Sequence, residues 1–196
     1  MKRWSVLSSR LVLHRPPWLK VTEQRCLLPN GHVIEDYILA EGRDVVMVFP
    51  YTPDGQVVLV EQYKHGCERI LWDLPAGYMD VDDATPLSAA QRELSEETGC
   101  TADDWTHLAS LHPDPTRSGN VVHFYLATGA RRTCGQRLDD TEDINIHEAP
   151  LSALPRMVSE GKIAGMSSVA GIGLGVAALV QRRIVVADFF PTGEVS

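Results

Sequence analysis

Three observations predict a layered fold of interleaved strands and helices around one core, of the α/β or α+β kind. Strand-like apolar runs dominate residues 21–63, a helix with clear start and stop signals follows, and strand and helix patterns alternate again as far as residue 181. At 196 residues, with 44% apolar and 22% charged content, the chain is long enough to bury a real core in one domain with a small appendage.

The first twenty residues, MKRWSVLSSRLVLHRPPWLK, hold five Lys or Arg and no acid. No cleavage pattern or long amphipathic stretch follows, so they are not read as a transit peptide, and Trp4 and Trp18 are read as packing residues. Residues 21–28 and 32–40 alternate on either side of Asn30-Gly31, a strong hairpin signal, and predict a β-ribbon. Two apolar strands at 44–50 and 56–63 are joined by Thr52-Pro53-Asp54-Gly55, whose proline and glycine suit a tight reversal. Thr85-Pro86 opens a helix of about 13 residues, roughly 20 Å long, and Gly99 closes it. On that helix Leu87, Ala90 and Leu94 fall on one side and face the core.

Strands are expected at 105–111 and 121–128, then helical spacing at 151–160, where Pro155 weakens the pattern, and at 167–181. The uncharged stretch AGMSSVAGIGLGVAALV at 164–180 is too short and too rich in small residues for a membrane span. No strand precedes its glycines, so it reads as a buried helix, capped by Ser167 or Ser168, and not as a phosphate loop.

The formal net charge of −8 argues against a non-specific nucleic-acid binder, which would carry a basic face. It leaves room for a phosphate-bearing substrate, because a divalent cation reverses the sign of an acidic site. Cys26, Cys67, Cys100 and Cys134 are widely spaced with no C-x-x-C pair, which speaks against a zinc knuckle and points to a reducing, cytoplasmic setting.

The chemistry gathers in SAAQRELSEETGC, residues 88–100. Glu93, Glu96 and Glu97 stand at i, i+3 and i+4, so they share an arc of about 100° and project from one patch. Arg92 lies one turn before Glu96 and can hold it as an i,i+4 pair. Glutamates on a helix are ordinarily a solvated face, but like charges at this spacing cost a few tenths of a kcal/mol unless something neutralises them. Mg²⁺ or Mn²⁺ would do so, being hard cations that take a few carboxylates together with substrate phosphates. Glu97 is expected to face metal and solvent, not core. The acids Asp80, Asp82 and Asp83 do not make a calcium loop, since the central glycine is absent and Gln91 stands where a bidentate glutamate is needed. No G-x-S-x-G elbow supports a serine nucleophile.

The stretch GYMDVDDATPLSAAQRELSEETGC, 77–100, resembles the signature box of the Nudix hydrolases, with Gly77, Arg92, Glu93, Leu94, Glu96, Glu97, Gly99 and Cys100 in order. Asp83 stands where the family usually has glutamate, one residue further from Arg92 than usual, which leaves it a loop acid or a weak ligand. PNGHVIEDYILAEG, VVLVEQYKHG and LWDLPAG extend the resemblance to the subgroup acting on ADP-ribose and other nucleoside-diphosphate sugars. The resemblance implies an α/β/α sandwich with a mixed sheet, residues 44–196, preceded by a small antiparallel β subdomain, residues 1–43, that helps form a homodimer. It also implies a metal contact from the Ala76 carbonyl and substrate contacts from Gln62 and Lys64. Lysine replaces a common arginine at 64, so the planar two-pronged phosphate contact is lost.

Metal ions would mask the repelling charges of a pyrophosphate and lower the pKa of a bound water. Glu93, Glu96 and Glu97 would then be ligands and Arg92 their orienting partner. The family's downstream glutamate falls near Asn120, which cannot accept a proton usefully. The base is therefore sought at Glu142, Asp143, Asp114 or a box glutamate, with His112, His123 and His147 as further options. Arg117 is a candidate contact for phosphate or the terminal ribose. The expected reaction is hydrolysis of ADP-ribose to AMP and ribose 5-phosphate. A pyrophosphatase for a dinucleotide or damaged triphosphate is the alternative enzyme, and a nucleotide-sugar sensor without catalysis is the alternative of another class.

Overall fold

The computed structural model describes residues 1–184, which fall into two compact units. The first comprises Met1–Asp44 with Leu111–Val121. Its strands β1 (Ser5–Arg15), β2 (Leu19–Leu27) and β3 (Val33–Glu41) make an antiparallel sheet in that order. The β2–β3 hairpin turns at Asn30, whose side-chain oxygen accepts from the His32 N–H at 3.0 Å. β1 is a strand that the sequence reading did not anticipate, because its side chains are exposed on both faces and no alternation marks it. Trp4 and Trp18, read as packing residues, are 47% and 62% exposed, and Trp4 sets its ring edge-on to Tyr37. Loop 111–121 is tied in by the Ala40 N–H donating to the Arg117 carbonyl at 2.8 Å and the Val121 N–H donating to Asp44 at 2.7 Å.

The second unit contains β4 (Val45–Tyr51), β5 (Gln56–Lys64), β6 (Arg69–Asp73), β7 (Ala76–Tyr78), α1 (Pro86–Thr98), β8 (Cys100–Thr101), β9 (Asp104–Leu111, less its last residue), β10 (Val122–Thr128), β11 (Arg131–Arg132), β12 (Ile144–Pro150), α2 (Leu154–Ser159) and α3 (Met166–Gln181). Seven strands form one sheet with the path β12-β5-β4-β10-β9, to which β6 adds on β5 and β7 on β4. β10 runs parallel to β4 while β12, β6 and β7 pair antiparallel, which makes the sheet mixed. Alternation along β4 separates the layers: Val46 and Val48 pack with Ala90 and Leu94 of α1, whereas Met47 and Phe49 pack with Leu154 of α2 and Leu179 of α3. This is the α/β/α sandwich.

The expected helix at 151–160 is a 3-10 turn, Leu151–Ala153, running into α2, with Pro155 tolerated in the first turn where no N–H is needed. α3 is capped by neither expected serine; its N-cap is Gly165, and Ser168 is spent on contacts to β6. No helix among the described residues is long and apolar enough to cross a membrane. The last part of the expected second domain, 185–196, lies outside the described residues.

Candidate active site

α1 is built for a fixed length. Thr85 accepts from the Ser88 N–H at 3.1 Å and Ser88 Oγ accepts from the Thr85 N–H at 3.0 Å, a reciprocal capping box with serine in the third position. Gly99 ends the helix at φ +69°, and a side chain there would also meet the Cys134 carbonyl at 2.3 Å. Between these stops the three glutamates do not all point outward. Glu93 and Glu97 are only 7% and 2% exposed, which corrects the expectation that Glu97 faces solvent.

Both are pressed against β7. The Ala76 N–H donates to Glu97 Oε2 at 2.9 Å. A Cβ at Gly77 would lie 2.1 Å from the Glu93 carboxyl carbon, so only glycine lets this carboxylate rest on the strand. Arg92 ties the outer side together. Its Nη1 donates to Glu93 at 2.8 Å and to Glu96 at 3.1 Å, the i,i+4 pair read from spacing, and its Nη2 donates to the Tyr78 carbonyl at 3.0 Å. Asp83 takes the rest of the guanidinium, accepting from Nε at 3.2 Å and Nη2 at 2.8 Å. Its Oδ2 also receives the Asp80 N–H at 2.8 Å. The structure thus gives Asp83 the role of Arg92's two-pronged partner, a contact that spacing alone did not reveal because it spans a loop.

The electrostatics follow from burial. Desolvation pushes the Glu93 carboxyl up to about 7 against the opposing pull of Arg92. Glu97 is raised well above the usual carboxylate range, by burial first and by the Glu93 charge second. Arg92 is raised further above its usual range, chiefly by its hydrogen bonds to Asp83.

Beside β7 lies a cavity of about 220 Å³ lined by Gln62, Lys64, Asp73 and Ala76 and by the first residues of α3. Gln62, Lys64 and Ala76, singled out in the sequence, therefore meet in one place. Lys64 stands 3.4 Å from Asp73, and its charge reaches Glu97, drawing that carboxyl down. Asp73 is fixed in turn by the Ser168 hydroxyl at 2.9 Å, which accepts from the Leu74 N–H at 3.1 Å. Asp73 is not singled out in the sequence, where an acid in the run LWDLPAG gives no periodic or spacing signal, and Ser168 reads there only as a helix cap.

The base candidates are scattered. Glu142 is exposed in a turn, where it accepts from the Asp139 N–H at 3.0 Å, yet its charge raises both Glu93 and Glu97. Asp143 is exposed beside it. His147 stacks on Trp72 at 3.9 Å and bonds Glu61 at 3.1 Å, and His123 bonds Ser110 at 2.8 Å, so both are engaged structurally. Asp114, Arg117, Asn120 and His112 belong to the first unit, where Asp114 closes its own turn on Thr116 and His112 bonds the Asn120 carbonyl at 3.1 Å.

Glu93, Glu96, Glu97 and the Ala76 carbonyl all offer hard oxygen donors, the type that Mg²⁺ or Mn²⁺ selects. Among the described residues no three His, Cys, Asp or Glu side chains stand together in metal-holding geometry; Arg92 and the Ala76 N–H engage the box carboxylates. The donor chemistry fits a hard cation all the same, since two buried acids of raised pKa are the groups that a positive charge would hold ionised.

Comparison with known proteins agrees with this architecture. The profile of the NUDIX domain matches residues 41–162, and that of the nucleoside diphosphate sugar hydrolase N-terminal domain matches residues 4–37. An ADP-ribose pyrophosphatase of Mycobacterium tuberculosis is 31% identical over 82% of this chain and 77% of its own length. A GDP-mannose pyrophosphatase of Klebsiella pneumoniae is 33% identical over 68% of this chain and 85% of its own. Among solved structures, one described as an ADP compounds hydrolase superposes with a TM-score of 0.81 at 21% identity, covering 94% of this chain and 98% of that one, which shows the fold.

Proposed function

The chain belongs to the NUDIX family of hydrolases, and from that premise we propose that it cleaves the pyrophosphate linkage of a nucleoside diphosphate joined to a sugar, with ADP-ribose preferred, giving AMP and ribose 5-phosphate. The observation that carries the reading is that Glu93 and Glu97 rest on β7, whose Ala76 also lines the cavity that holds Gln62 and Lys64. The relatives named for ADP-ribose and GDP-mannose support the substrate class.

Glu93, Glu96, Glu97 and the Ala76 carbonyl would hold Mg²⁺ or Mn²⁺, which when bound supplies charge neutralisation and an acidified water. Lys64 offers a cation to one phosphate, held in place by Asp73, and Gln62 beside it offers an amide. Arg92 keeps Glu93 and Glu96 oriented through its hydrogen bonds to carboxylates and backbone. Glu142 accepts the proton of the attacking water; the new P–O bond forms as the bridging P–O bond breaks, and the sugar phosphate leaves. Positioning and charge compensation supply most of the rate in such phosphoryl chemistry.

The exposed apolar side chains Val6, Leu7, Leu11 and Val12 of β1 support a homodimer made through the N-terminal sheet, which sedimentation would read directly. Free thiols at all four cysteines support a cytoplasmic setting. Incubation with Mg²⁺ and a panel of ADP-ribose, ADP-glucose, GDP-mannose, dinucleotides and triphosphates tests the function. AMP released from ADP-ribose sustains it, while turnover confined to other nucleotides, or binding without turnover, replaces it with one of the alternatives.

A further inference from the structure

The end of α1 is tied down by a segment distant in sequence. The Thr133 and Cys134 N–H groups donate to the Gly99 carbonyl at 2.9 and 3.1 Å, and the Arg137 N–H donates to the Glu96 carbonyl at 2.9 Å. Between them the Gln136 side-chain amide donates to two carbonyls at once, Glu97 O at 2.8 Å and Ile144 O at 3.0 Å. Only the NH₂ end of an amide carries two donors, so this half-buried side chain is matched to a pair of acceptors. One acceptor belongs to the last turn of the box helix, where carbonyls have no partner within the helix. The other belongs to the first residue of β12, which pairs with Gln62 of β5.

Residues 138–143 lie between Arg137 and Ile144 and carry Asp139, Asp140, Glu142 and Asp143. Both ends of this acidic loop are thereby pinned, its start by the Arg137 bond to α1 and its end by the amide of Gln136. Glu142 closes the loop internally, its backbone N–H donating to the Asp139 carbonyl at 2.9 Å and its carboxylate accepting from the Asp139 N–H at 3.0 Å. A loop with these few internal contacts has no core of its own to fix it. Its location relative to Glu93 and Glu97 is set by the bonds at its root.

We propose that Gln136 is a positioning residue for the hydrolysis: its amide staples the last turn of the box helix to the root of the loop 138–143 and so sets where Glu142 stands relative to the box carboxylates. This rests on the reading of Glu142 as proton acceptor. Gln136 touches neither substrate nor reacting atoms in this role; it acts through Glu142. Misplacing a catalytic group by about 1 Å costs up to about a hundredfold in rate, so loss of the staple is expected to lower kcat about tenfold with KM little changed.

The test is a double-variant comparison on the full chain with ADP-ribose and Mg²⁺. Gln136→Met keeps the side-chain volume and removes both donors, and Glu142→Gln removes the base. Expected are a fall of about tenfold in kcat for Gln136→Met, a fall of about a hundredfold for Glu142→Gln, and no further fall when the two are combined. If the Gln136→Met penalty persists in full on the Glu142→Gln background, or if Gln136→Met retains full kcat, Gln136 does not act through Glu142 and the proposal is overturned while the base assignment stands. If Glu142→Gln is fully active, the base assignment falls and the proposal with it. Should Gln136→Met not fold, Gln136→Asn, one methylene too short to span both carbonyls, makes the same comparison.

Discussion

Residues 93–97 of α1 and the loop 138–143 carry acids at nearly the same density, three in five and four in six, and the fold treats them in opposite ways. On the helix, Glu93 and Glu97 are folded under β7, nearly removed from water, and raised in pKa by desolvation. In the loop, Asp139, Asp140, Glu142 and Asp143 remain exposed. A carboxylate in water is an unremarked charge; one buried beside another is destabilised in its ionised form, and a nearby cation offsets that cost. The difference teaches that acid count does not decide burial, whereas the approach of a glycine-bearing strand does.

Four measurements would break or sharpen that contrast. The largest effect is expected for Glu97→Gln. Activity should fall about a thousandfold, equivalent to about 4 kcal/mol of transition-state stabilisation, while the melting temperature without metal holds or rises, because a buried charge is replaced by a neutral group that can still accept from the Ala76 N–H. Retained activity would deny the helix face its metal role. Next, Glu142→Gln should cost about a hundredfold in kcat and leave stability within about 0.5 kcal/mol, as an exposed side chain requires. A large loss of stability instead would mean that the loop acids are structural and the contrast misplaced.

Gly77→Ala tests the strand's part. With Glu93 only 2.1 Å from the added carbon, strand or carboxylate must shift, at a cost of about 1–3 kcal/mol, readable by denaturant unfolding. Unchanged stability and activity would show that β7 is not what confines Glu93. The smallest effect concerns pH. Glu93 binds its proton more tightly folded than unfolded, so its ionisation destabilises the metal-free protein above about 7, and this penalty is relieved as pH falls through that value toward the ordinary carboxylate range. The EDTA-treated protein should therefore melt a few degrees higher at about pH 6 than at about pH 8. Glu93→Gln should shrink that difference, leaving the share due to Glu97; an undiminished difference would assign the effect to other groups.

How much of this was legible depended on the range of the interaction involved. Helix α1 was readable to the residue because Thr85, Pro86 and Gly99 act on their immediate neighbours. The hairpin about Asn30-Gly31 and the reversal at Thr52-Pro53-Asp54-Gly55 were readable for the same reason. β1 was not, since a strand exposed on both sides shows no alternation, nor were β8 and β11, two residues each and defined only by each other. The serine caps expected for α3 failed because Ser168 found Asp73 and Leu74, residues about ninety positions away.

The chain's own order of residues determined that three glutamates and one arginine would share a helix of set length, since turn and cap preferences and the 3.6-residue repeat are local properties. Only the tertiary structure decided that two of those glutamates would be buried, that Asp83 would be Arg92's two-pronged partner, and that Gln136 would bridge the helix to the acidic loop. Desolvation and hydrogen bonding between distant segments depend on which surfaces meet, and no window of sequence contains that information.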